Sequence, residues 1–185
     1  QAQAPRLIVS ATAPCDVDAS DVAGDLLRAA QQCLAEADPL RKVALTQAYA
    51  VQFRAGQLKA RADAAPPAPI RMPGRPSRPH LVHPRDLPKR GLGSVEGRAA
   101  FIHAIAHIEL NAVDLALDIV ARYAAEPVPH SFFDGWMQVA FEEAKHFNMV
   151  RDRLRQLGAN YGDMPAHDGL WKAAHSTRND LTARL

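Results

Sequence analysis

Between Ser94 and Gly158 apolar residues recur at helical spacing in two long runs, broken only at Pro127 and Pro129. A break this short leaves the two helices no arrangement but that of antiparallel neighbours. Ser94 supplies a cap for the first, with Glu96 in its first turn favourable to the helix dipole. Ser131 and Asp134 have the spacing of a capping box for the second, which Gly158 closes.

At about 100° per residue, Glu143 falls in the middle of the face made by Trp136, Ala140, Phe147, Val150 and Leu154. His146, three positions on, lies on the same side. Glu142 points instead toward Gln138, Lys145, Asp152 and Gln156, an ordinary solvated stripe. On the preceding helix Glu109 is centred among Ile102, Ile105, Ala106, Ala112, Val113, Ala116 and Val120. A separate polar stripe, His103, His107, Asn111, Asp114, Asp118 and Arg122, reads as solvated or as an interface, not as ligands.

A buried, unpaired carboxylate costs several kcal/mol, so such a group protonates, finds a partner or binds a metal. Glu from one helix and Glu-x-x-His from the next are half of the ligand set of carboxylate bundles holding two iron or manganese ions. A lone Glu-x-x-His is common by chance; Glu109 at the centre of its own apolar face is what turns the motif into a candidate metal site. Carboxylate and imidazole suit iron, manganese or zinc without choosing among them.

Upstream, Asp21 to Ala37 and Pro39 to Ala55 read as a helical hairpin, punctuated by Asp38-Pro39 and closed by Gly56. It carries no Glu-x-x-His, so a docking or scaffold role is expected of it. From Ala62 to Pro88 come eight of the chain's 14 prolines, with no helical period. This segment is a linker, or a strap laid over the surface. Arg71, Arg75, Arg78, Arg85, Lys89 and Arg90 make it basic, but without interleaved aromatics or a base-reading motif the tie is the preferred reading over nucleic-acid contact. The expected organisation is therefore a hairpin at 1–61, a strap at 62–90 and a helical metal-binding region at 91–185. His167 and Asp168, in the irregular loop from Tyr161 to Trp171, are expected to order that loop and cap the last helix.

Composition closes off some alternatives. A hydrophobic share of 48% is ordinary for a globular chain, and a formal charge of +2 does not by itself call for a polyanion. Cys15 and Cys33 alone make neither a disulfide scaffold nor a cysteine metal site, which fits a reducing, cytoplasmic setting. No run has the length of a membrane span, and Gln1 to Ser10 lacks the layout of a signal peptide. Without an initiator Met, residue 1 need not be the native start.

Pro88-Lys89-Arg90, Gly93-Ser94, Glu96-Gly97-Arg98, the stretch His103 to Asn111, Glu142-Glu143-Ala144-Lys145-His146-Phe147 and the loop Tyr161 to Trp171 together resemble the ferritin-like family catalogued as domain of unknown function 455. The similarity begins in the first hairpin, through Ala37-Asp38-Pro39 and Lys42. It implies an all-α, ferritin-like bundle with a dinuclear iron or manganese centre and places ligands at Glu109, Glu143 and His146. It implies no known reaction. Relatives continue through two further helices with a second Glu and Glu-x-x-His, whereas the only Glu-x-x-His here is Glu143 to His146. A truncated chain, a continuing C-terminal part and a homodimer that completes the bundle all remain open. The leading functional expectation is an oxidase or oxygenase acting on a small molecule of unknown identity. A non-catalytic scaffold with structurally paired acids and an RNA-modifying hydroxylase are the alternatives.

Overall fold

The structure, a computed structural model, describes residues 22, 24–60, 70–88, 91–124 and 126–185. Cys15, Asp21, the first part of the strap (61–69), Lys89 and Arg90 lie outside these. Among the described residues the chain is all-helical: α1 (Leu26–Ala35), α2 (Pro39–Arg54), α3 (Val95–Arg122), α4 (His130–Gln156), α5 (Gly169–Ser176) and α6 (Leu181–Arg184).

Local chemistry sets most of the boundaries. Asp38 Oδ1 accepts the N–H groups of Leu40 and Arg41, with Pro39 in the first turn of α2, as the sequence leads one to expect. Ser94 Oγ caps α3 by accepting the Gly97 N–H at 3.0 Å. α1 begins later than its sequence pattern indicates. The chain before it is held by Lys59, whose N–H donates to the Gly24 carbonyl and whose carbonyl accepts from Leu26 N, so that Asp25 becomes the cap. The expected Ser131–Asp134 capping box does not form. α4 starts at His130 after Pro129 with no side-chain cap, and Asp134 Oδ2 faces His130 Nδ1 at 3.1 Å.

The α1–α2 hairpin packs across the long α3–α4 pair. Their shared core includes Leu26, Leu34, Leu45, Tyr49, Val113, Leu117 and Phe147, all buried. Burial of this kind supplies about 25 cal/mol per Å² of apolar surface, so the core outweighs helix propensity in fixing these elements. The described part of the strap, with a 3₁₀ turn at Pro84–Asp86, lies across this bundle. The Gly74 N–H donates to the Leu34 carbonyl, the Arg71 carbonyl accepts from Trp171 Nε1, and Val82 and His80 exchange backbone bonds with Ala166. Residues 70–88 are thus tied to α1, α5 and the loop before it by backbone and side-chain bonds.

The orientation of α3 departs from expectation. His103, His107, Asn111, Asp114 and Asp118, read from sequence as a solvated stripe, are all buried. The reason is that α1, α2, the strap and the Tyr161 loop stack on that side and supply partners. The apolar face around Glu109 is buried as expected at Ala106, Val113, Ala116 and Val120, while Phe101 and Ile108, outside that face, are 43% and 50% exposed.

Candidate metal centre

Glu109 stands on α3, Glu143 and His146 one turn apart on α4, and the pairing of the two helices brings all three to one level. One ligand atom from each lies within 4.8 Å of the others. His146 Nδ1 is 3.2 Å from Glu143 Oε2 and 3.7 Å from Glu109 Oε2. The side chains of Glu109 and Glu143 are 19% and 25% exposed and that of His146 48%. The group is thus half-buried beside the core, not within it as the periodicity implied. Glu142 and Lys145 are exposed, as expected from the stripe that carries them.

The electrostatics are those of two carboxylates short of positive charge. The Glu109 carboxyl is pushed up to about 7, first by burial, then by its hydrogen bond to Glu143 and by that neighbour's charge, with His146 opposing. Among the described residues no Lys or Arg pairs with either acid. The inward acids of α3 differ in this respect. Asp114 meets Lys42 Nζ at 2.5 Å, and Asp118 is held by Arg122 at 2.6 Å and Arg184 at 3.4 Å.

The inward stripe was missed from sequence and forms a second polar centre. His107 Nδ1 accepts the Tyr161 hydroxyl at 2.9 Å, and its Nε2–H donates to the His167 carbonyl at 3.1 Å, which fixes a neutral tautomer. Burial accordingly holds its pKa down to about 4. His103 Nε2 accepts the Gly162 N–H at 3.0 Å, so this ring too is an acceptor there. His167 orders its loop as expected, Nδ1 accepting from Gly169 N. Asp168 occupies the cap position of α5 without making a cap bond and instead faces Arg75 Nη2 at 2.8 Å.

A family model described as a protein of unknown function, DUF455, matches residues 35–185. The chain belongs to this family. An uncharacterised protein of Haemophilus influenzae is 45% identical over 115 residues, which are 60% of this chain and 40% of that protein. The chain thus spans well under half the length of the curated relative it matches. No solved structure matches it. No described helix is long and apolar enough to cross a membrane.

Proposed function

We propose that the chain supplies Glu109, Glu143 and His146 to a carboxylate-bridged dinuclear centre of iron or manganese, in a ferritin-like protein of the oxidase or oxygenase kind. The observation that carries this reading is the convergence of two carboxylates and an imidazole within 4.8 Å, where no Lys or Arg among the described residues balances the acids. The donor set fits the ions. Hard carboxylate oxygens with one imidazole nitrogen suit iron or manganese, and a bound cation would supply the positive charge that the two half-buried acids lack. When bound, such a centre supplies redox chemistry toward dioxygen. The protein's part is to hold the donors on two packed helices and to keep one side of the site dry.

In this reading the three residues are half of a set. The other Glu and Glu-x-x-His come from further residues of the natural polypeptide or from a second copy across a two-fold axis. Exposed apolar residues on α3 and α4, Phe101, Ile108 and Met149, are in this reading surface for the completing helices to cover. Loss of the free Mn²⁺ electron paramagnetic resonance signal on titration measures uptake, and light scattering measures association. Uptake that rises with association and falls in Glu143→Ala supports the half-set account; a monomer that binds two ions tightly overturns it.

A scaffold whose acids are held internally has Asp114 and Asp118 in its favour, each paired with Lys or Arg. It leaves Glu109 and Glu143 without such a partner, and metal analysis separates the two readings. An RNA-modifying hydroxylase would use the same centre on another substrate. The strap bears on it through Arg71, Arg78 and Arg85, which are exposed while Arg75 turns inward. Co-purifying RNA is its test.

A further inference from the structure

Between the strap and the buried polar side of α3 lies a small cleft of about 50 Å³ that opens to solvent. Lys42, Arg75, His107, Asn111, Asp114 and Tyr161 supply its polar walls, and Leu81 stands in its apolar rim. The neutral groups here are committed to one another. Asn111 Oδ1 accepts from Arg75 Nη2 at 3.0 Å, its Nδ2 donates to the His107 carbonyl at 2.7 Å, and His107 is fixed between Tyr161 and His167.

Arg75 is different. Both of its polar contacts run through Nη2, and Nε, shielded from solvent, has no acceptor among the described residues. Asp168 Oδ1, 2.8 Å from Nη2, is likewise buried without a hydrogen-bond partner. A shielded cationic N–H without an acceptor is costly to maintain. Lys42 spends its Nζ on Asp114 and on the Gly74 carbonyl, and Arg75 faces Asp168 at 2.8 Å, so each cation here has its own carboxylate. What the cations retain is donor capacity, and its complement is an acceptor with negative charge.

We propose that this cleft binds a small organic anion, its carboxylate or phosphate group held on Arg75 and its body against Tyr161 and the apolar rim. This site is separate from the Glu109 centre and does not depend on it. The test follows thermal unfolding of the full chain in metal-free buffer at constant ionic strength, titrated with inorganic phosphate and, in a second arm, with succinate. At least one anion should raise the midpoint saturably, and whichever acts identifies the group recognised. Arg75→Gln should weaken that anion at least tenfold. Because Arg75 also ties the strap, Leu81→Trp provides an independent variant: the exposed side chain enlarges into the cleft without touching a charge and should weaken the same anion tenfold. No saturable shift with either anion, or an unchanged affinity in a folded Leu81→Trp protein, overturns the proposal.

Discussion

Replacing Gly74 by Ala tests how the strap is seated on the bundle. A Cβ at this position would lie 2.1 Å from the Ala35 carbonyl oxygen and 2.6 Å from that of Glu36, both main-chain atoms at the end of α1. Ordinary contact between such atoms is about 3.4 Å, so the strap must retreat by more than an ångström. Two bonds fail with the retreat: Gly74 N–H to the Leu34 carbonyl at 2.6 Å, and Lys42 Nζ to the Gly74 carbonyl at 2.9 Å. At the lower ends of the usual ranges the terms are about 1 kcal/mol for overpacking and about 0.5 and 1.5 kcal/mol for the neutral and charged bonds. The sum is a loss of about 3 kcal/mol. Urea denaturation followed by far-UV circular dichroism measures it. Gly135→Ala is the control, because a Cβ there meets nothing within 4 Å on an exposed turn of α4, and it should stabilise by up to about 1 kcal/mol. A Gly74→Ala protein within 1 kcal/mol of the parent, on the order of the control's effect, refutes this seating of the strap.

Lys42→Met strands the Asp114 carboxylate in a site that already raises its pKa by burial, and should cost about 3–5 kcal/mol. Lys42→Met combined with Asp114→Leu should recover a large part of that in the same denaturation assay. His107 gives the fold a pH dependence of definite sign. Its folded pKa of about 4 lies below the ordinary 6.5, so its contribution is fully present above pH 6.5 and is lost as pH falls through 4. The loss is about 3 kcal/mol; in His107→Gln the decline in stability across that window should be smaller by about this amount, and an equal decline in both proteins counts against the neutral, buried ring. Cys33 is fully buried and its thiol is pushed up to about 12, so alkylation mapped by mass spectrometry should label it only after denaturant is added. Labelling of Cys33 in the native protein contradicts this.

The parts of the fold legible in the sequence are those decided within a few residues. Asp38 before Pro39 and Ser94 before α3 act on N–H groups two or three positions away, and the structure places them as caps. The start of α1 was not legible, because Lys59, distant in sequence, takes the backbone groups that would otherwise extend the helix. Glu109, Glu143 and His146 could be placed together because a helical period and a short turn suffice to bring them to one level. Their depth could not. Periodicity gives the direction of a side chain around its own helix but not which side its neighbours cover. The inward stripe of α3 was misread for the same reason: its partners, Arg75, Tyr161, His167 and Lys42, are 36 to 72 residues away in the chain. A stripe of His, Asn and Asp on a surface and one locked to distant Lys, Arg and carbonyl groups have identical local patterns.

Elemental analysis of the protein in its longest natural form, joined to anomalous scattering at the absorption edge of the metal found, tests the central claim most directly. Iron or manganese should be present, with the anomalous peak between Glu109, Glu143 and His146. Glu143→Ala and His146→Ala should each lose most of it while keeping the helical circular dichroism of the parent. Full occupancy in both variants, or a peak elsewhere in the fold, contradicts the assignment.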